Sequence, residues 1–141
     1  MNSSEKKRNK RILVVDDELD VLDFLKLYLS SIGWEVSIAS NIDEAFKVLE
    51  AESFFLVITD IAMPEMDGHE FISKLHDRHI FSEVALMTGF GYNPKHTLVK
   101  IFKTIKYPCL FKPFNRVKVA ETVQEAWDRY HTGMTDSPTP T

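Results

Sequence analysis

An α/β fold, a doubly wound sheet of five parallel strands with helices on both faces, is predicted by three features of the chain. Short apolar runs alternate with amphipathic stretches at helical spacing, five times over. The runs are continuous, Ile12-Leu13-Val14-Val15 most clearly, as strands covered by helices on both faces require. The residues that end the runs are acidic, hydroxylic or basic, and such sheets bind ligands at the carboxyl ends of their strands. Strands joined by helices lie parallel with right-handed crossovers. Strand order 2-1-3-4-5 then puts the topological switch between strands 1 and 3.

The first strand, Ile12–Val15, leads into a helix over Glu18–Ile32, with Leu22, Leu25, Leu29 and Ile32 on one face and Gly33 placed to end it. Trp34–Ala39 is the second strand, with Val36 and Ile38 inward. Asn41-Ile42-Asp43-Glu44 has the spacing of a capping box, and Ala45, Phe46 and Leu49 form one face of the helix behind it. Phe54–Thr59 is the third strand, ended by Asp60; Met63–Gly68 is a loop; Phe71, Ile72 and Leu75 mark a helix over Gly68–Arg78. Val84–Met87 is the fourth strand, followed by the turn Thr88-Gly89-Phe90-Gly91. Asn93-Pro94 starts a helix with Leu98, Ile101, Phe102 and Ile105 as its stripe. Cys109–Phe111 is the fifth strand, and Asn115 caps a last helix that turns Val119, Val123, Ala126, Trp127 and Tyr130 inward.

A chain of 141 residues is one domain's worth and buries roughly two-thirds of its unfolded surface. Residues 1–10 read as a basic tail, 11–131 as the folded domain and 132–141 as a flexible tail without core residues. Hydrophobic residues at 44% and charged residues at 27% exclude a disordered chain. The net charge of -4 argues against direct nucleic-acid binding. A single cysteine, Cys109, excludes an internal disulfide and a cysteine-rich metal centre, and fits the cytoplasm. The basic start is followed only by Ile12–Val15, too short for a secretory signal, and no apolar run is long enough to span a membrane.

The chemistry lies at the strand ends. Strand 1 ends in Asp16-Asp17, strand 3 in Asp60, strand 4 in Thr88-Gly89 and strand 5 in Lys112-Pro113. With strands 1 and 3 adjacent, the carboxylates converge, and unpaired carboxylates at close range need a proton or a cation. Hard oxygen donors with room for water suit Mg²⁺. The Thr88 hydroxyl and the Lys112 ammonium supply a donor and a cation for phosphoryl oxygens, and a carboxylate can itself become an aspartyl phosphate. Taken singly, Asp17 fits a helix N-cap and Lys112 a solvated side chain. The set, spread over four strand ends, points to phosphoryl chemistry.

Val14-Val15-Asp16-Asp17-Glu18, Asp60-Ile61-Ala62-Met63-Pro64-Glu65-Met66-Asp67-Gly68, Thr88-Gly89 and Lys112-Pro113-Phe114 resemble the motifs of response-regulator receiver domains. The resemblance runs from about Lys10 to Tyr130 and implies the flavodoxin-like form of the predicted sheet. It implies that Asp60 accepts a phosphoryl group from a sensor histidine kinase or phosphotransfer protein. It implies Mg²⁺ held by Asp16, Asp17, Asp60 and the carbonyl of Ala62, with Asp16 acting through water. Thr88 would bond the phosphoryl oxygen and switch position, Lys112 would pair with the phosphoryl group, and the Lys112–Pro113 bond would be cis. Such a domain signals to a downstream protein and is not an enzyme beyond its own phosphorylation and dephosphorylation; a homodimer stays open.

One departure stands out. The family usually has Phe or Tyr three residues before the lysine, and here that position is Cys109, with Tyr107 out of register before Pro108. A weaker or rerouted coupling from Asp60 follows, with Phe90 or Tyr92 as substitutes beside Gly89 and Gly91. The stretch from Gly91 to Lys112 also holds Lys95, Lys100, Lys103 and Lys106 with no acid, a solvated face or a docking surface for an acidic partner. Two other function classes stay open: a receiver-like interaction module that signals without phosphorylation, and an aspartyl-nucleophile phosphatase. The adjacent Asp16-Asp17 pair and the absence of a cap insertion speak against the second.

Overall fold

A computed structural model of the chain describes residues 9–61, 68–89 and 107–135. Within them the elements run β1 (Arg11–Val15), α1 (Leu19–Ser31), β2 (Glu35–Ala39), α2 (Ile42–Ala51), β3 (Leu56–Asp60), α3 (Gly68–Asp77), β4 (Glu83–Thr88), β5 (Cys109–Phe111) and α4 (Arg116–Thr135). The five strands form one sheet in the order β2-β1-β3-β4-β5, every pair parallel. This is the predicted doubly wound sheet. The helix expected after Asn93-Pro94, Phe90, Tyr92 and the lysines from 95 to 106 lie outside the described residues. Among the described residues no helix is long and apolar enough to cross a membrane.

The continuous apolar strands split by parity between two cores. Leu13, Val15, Val57, Val84 and Leu86 meet Ala45, Phe46 and Leu49 of α2 and Phe71, Ile72 and Leu75 of α3. Ile12, Val14, Leu56, Ile58, Ala85 and Met87 meet Leu22, Leu25 and Leu29 of α1 and Val119, Val123 and Ala126 of α4. Each fully buried aliphatic side chain contributes about 1.5–3 kcal/mol relative to exposure, so loss of either helical layer would leave one strand parity uncovered. Edge strand β2 is less buried, with Val36 and Ile38 partly covered.

The helix ends follow the local chemistry. Gly33, at φ +107°, closes α1: its N–H donates to Ser30 O at 3.1 Å, and the Trp34 N–H to Leu29 O at 3.1 Å. These two bonds make a Schellman motif, for which a residue without Cβ is best suited. Asn41 Oδ1 accepts the Glu44 N–H at 2.9 Å, as a capping box requires. The return bond differs, because the Glu44 carboxylate accepts the N–H of Ser40, at 2.9 Å, and its hydroxyl. Asn115 Oδ1 accepts the Lys118 N–H at 3.1 Å at the start of α4. That helix continues to Thr135, four residues into the stretch read as a tail (132–135). No proline interrupts it there, and one glycine near a helix end costs only about 1 kcal/mol.

Candidate functional site

Register brings the site together. Val15 of β1 is the partner of Thr59 of β3, so the next residues, Asp16 and Asp60, emerge at the same level on adjacent strands. Asp60 in turn pairs with Met87, one residue before Thr88, and Thr88 pairs with Phe111, one residue before Lys112. The Lys112 N–H donates to Thr88 O at 3.0 Å, which anchors the lysine backbone at the end of β5. Strands lie about 4.8 Å apart, so from β5 only a long side chain crosses β4 to reach β3 and β1.

Lys112 makes that crossing. Its Nζ lies 2.8 Å from Asp16 Oδ2, 3.0 Å from Asp60 Oδ2 and 2.8 Å from Glu18 Oε1. The Asp16 side chain is fully buried, whereas those of Asp60 and Lys112 are 12% and 13% exposed. Asp16 Oδ1 also accepts the Glu18 N–H at 2.9 Å. Burial raises the Asp16 carboxyl above the usual carboxylate range, and the Asp60 charge adds to this; the bonds from Lys112 and from the Glu18 N–H oppose it. Burial alone would lower the Lys112 ammonium, but its bonds to Asp16, Glu18 and Asp60 outweigh that and raise it. It therefore stays charged at neutral pH.

Asp17 is exposed at the same mouth. It does not cap α1, whose N-cap is Glu18 with no side-chain cap bond. One carboxylate oxygen each from Asp16, Asp17 and Asp60 lies within 4.8 Å of the others, close enough to share one cation. A hard, all-oxygen donor set with one buried, one partly buried and one exposed member fits Mg²⁺ with several waters retained. Ala62, the remaining expected ligand, lies outside the described residues.

Thr88 is buried at 3% exposure, and among the described residues its Oγ1 has no hydrogen-bond partner. A buried hydroxyl without a partner costs about 1–3 kcal/mol, and this one stands at the strand end next to Asp60. The Lys112–Pro113 bond is cis. Phe114 stacks on Phe24 of α1, at 6.1 Å between ring centroids, and Phe24 on Tyr28. An apolar hollow of about 310 Å³ borders Lys112, lined by Asp20, Val21, Phe24, Pro113 and Phe114. A second hollow, about 440 Å³, lies at the opposite end of the sheet among Phe54, His79, Phe81 and Tyr130, and contains none of the strand-end residues.

Cys109 is half-buried in β5 opposite Leu86, and Tyr107 packs against the core that holds Leu86 and Val84. Burial pushes the Cys109 thiol up to about 11. Iodoacetamide at about pH 8 is expected to alkylate Cys109 about 100-fold more slowly in the folded protein than in the urea-unfolded chain. Equal rates would show the thiol to be freely accessible. The sign for stability follows: folding retains this proton, so the contribution is complete below the unfolded thiol value and is lost as pH rises through about 11.

The strand-end residues Asp16, Asp17, Asp60, Thr88 and Lys112 all lie at this end of the sheet, as the sequence predicts, and the structure brings the charged four together. Glu18, which the sequence marks only as part of the first motif, joins them through Lys112.

The sequence matches the family "Response regulator receiver domain" over residues 12–124. Among curated relatives, response regulator protein PilR of Pseudomonas aeruginosa is 29% identical over 117 residues, 83% of this chain and 26% of its own length. Transcriptional regulatory protein ZraR of Klebsiella oxytoca is 33% identical over 127 residues, 90% of this chain and 28% of its own length. The chain thus spans about a quarter of the length of these two regulators, but 85% of response regulator receiver protein CpdR of Brucella abortus, at 33% identity over 70% of this chain. A CheY-like receiver domain protein from Methanospirillum hungatei JF-1 superposes with a TM-score of 0.75 at 30% identity, covering 88% of this chain and 98% of that one. One from Clostridium thermocellum gives 0.73 at 27% identity, over 86% and 96%. With its sheet order and its family match in agreement, the chain belongs to the response-regulator receiver domains, the signalling domains of two-component systems.

Proposed function

We propose that this domain accepts a phosphoryl group on Asp60 from the phosphohistidine of a sensor histidine kinase or phosphotransfer protein and passes the signal to a downstream protein. The observation that carries this is the Lys112 Nζ contact with Asp60 Oδ2 beside the buried Asp16. A carboxylate oxygen of Asp60 attacks phosphorus, the P–N bond breaks, and its electron pair returns to the imidazole nitrogen. In dephosphorylation water attacks phosphorus, the bond to the Asp60 oxygen breaks, and inorganic phosphate leaves. Lys112 follows the charge from Asp60 onto the phosphoryl oxygens, and the Thr88 hydroxyl donates its proton to one of them. Mg²⁺ held by Asp16, Asp17 and Asp60, with the Ala62 carbonyl as a further ligand, would supply the charge that offsets repulsion between the cluster and an incoming phosphate. The donor's phosphohistidine is formed from ATP, so we place the exchange in the cytoplasm.

The test is to label the protein with acetyl phosphate, reduce it with borohydride and map the modified residue. The proposal expects homoserine at position 60. Label on Asp16 or Asp17, or no label at all, would remove the mechanism. Chelating divalent metal with EDTA is expected to slow labelling at least about tenfold, and equal labelling with and without EDTA would overturn the metal assignment. Steady phosphate release from small phosphomonoesters would favour the phosphatase alternative instead.

A further inference from the structure

Lys112 Nζ has one partner that neither the metal ligands nor the phosphoryl acceptor account for. Glu18 Oε1 lies 2.8 Å away, as near as Asp16 Oδ2 and nearer than Asp60 Oδ2. Glu18 is the N-cap of α1, where a side chain ordinarily accepts an N–H from the first turn. It makes no such bond. Its N–H is held by Asp16 Oδ1 at 2.9 Å, and the carboxylate reaches over the site to the ammonium. The Glu18 side chain is 61% exposed, against 0% for Asp16 and 12% for Asp60. Two acceptors thus lie inside the site and one at its rim.

An ammonium has three protons, and these three carboxylates engage all of them. A phosphoryl group on Asp60 would bring further acceptor oxygens carrying more charge than a carboxylate. The proton now on Asp60 Oδ2 passes to them, and Lys112 gives them more than that one only if a further partner lets go. The exposed partner is the one that water best compensates, so its bond is the weakest of the three.

We propose that Glu18 is a positioning residue that holds Lys112 in the unphosphorylated state and competes with the phosphoryl group for it. This rests on Asp60 being the phosphoryl acceptor. The strength of the Glu18–Lys112 pair then sets how stably the phosphorylated form is held.

Beryllofluoride, an anionic phosphoryl mimic, tests this on the full chain by titration calorimetry at saturating Mg²⁺. Glu18→Gln is expected to bind it about three- to fivefold more tightly, the scale set by an exposed ion pair, and Glu18→Asp to fall between Gln and wild type. Asp20→Asn removes the same charge from a residue that borders the same hollow and has no ion pair with Lys112 among the described residues; it is expected to bind as wild type does. In a Lys112→Ala background, Glu18→Gln should change nothing. The ¹⁵N resonance of the Lys112 ammonium should shift in Glu18→Gln and not in Asp20→Asn. An equal gain from Asp20→Asn, or a gain that survives Lys112→Ala, would reduce the effect to general charge and overturn the proposal. Unchanged affinity and an unmoved Lys112 signal in Glu18→Gln, with Asp60 still labelled in the wild type, would defeat the competition alone. A wild type that binds no beryllofluoride and takes no label would defeat the acceptor role as well.

Discussion

Asp60→Asn is expected to take up no phosphoryl label above background, a loss of at least about 100-fold, while folding as the wild type does. The amide has nearly the shape of the carboxylate but lacks the anionic oxygen that must attack phosphorus. Asp60 ends β3 and, with Asp16, is one of two clustered carboxylates inside the site on Lys112 Nζ. The fold should survive because the substitution removes a charge where three carboxylates crowd one another. Lys112 keeps Asp16 and Glu18 as partners. Melting followed by circular dichroism should therefore show stability within about 1 kcal/mol of wild type, on either side. Residual label above about one-tenth of the wild-type level would place the nucleophile elsewhere, with exposed Asp17 the first candidate.

How much of this was legible beforehand depends on how local each feature is. Ile12–Val15 alone announced a strand covered on both faces, because a half-exposed strand would alternate. Gly33 and Asn41 announced helix ends through their own backbone and side-chain chemistry. The strand-end residues were legible as a set once the sheet order was inferred, since a parallel register brings residues past Val15 and Thr59 to one level.

What escaped the sequence was non-local or unusual in type. His79, with φ +59°, takes the left-handed conformation just past α3 where glycine is the common choice, so no residue type flagged that turn. The Glu44 return bond to Ser40 instead of Asn41 depends on the path of the chain before the cap. Glu18 stands in the sequence only as the start of a helix and the last residue of the first motif. Its ion pair spans 94 positions in sequence and exists only because β5 delivers Lys112 to the same mouth. The buried hydroxyl of Thr88 could likewise be named as a candidate donor, but its solvent exclusion is a property of the assembled sheet.

Lys112→Met should have two large effects, one on stability and one on the switch. In metal-free buffer near neutral pH the variant is expected to lose about 1–3 kcal/mol, because the fully buried Asp16 carboxylate is left without its ammonium. The figure sits below the usual cost of breaking a buried pair because Asp16 can take up a proton instead. Burial already raises the Asp16 carboxyl, and removing Lys112 removes the opposing bond, so the folded value rises further above the unfolded one. An acid raised on folding contributes stability that is complete below its unfolded value and is lost as pH climbs through its folded value. The deficit of the variant should therefore shrink as pH falls from about 7 toward about 4, and also when Mg²⁺ is added, since a cation bound by the folded cluster replaces the missing charge. Urea titrations across that range, with EDTA and with Mg²⁺, measure both. A deficit that neither acid nor Mg²⁺ narrows would mean that the lysine stem matters through packing and not through its charge. Labelling should persist at a reduced level because the attacking oxygen on Asp60 is untouched. The downstream response should fall further than labelling does, since Lys112 is the group that would carry the phosphoryl charge from β3 to the end of β5.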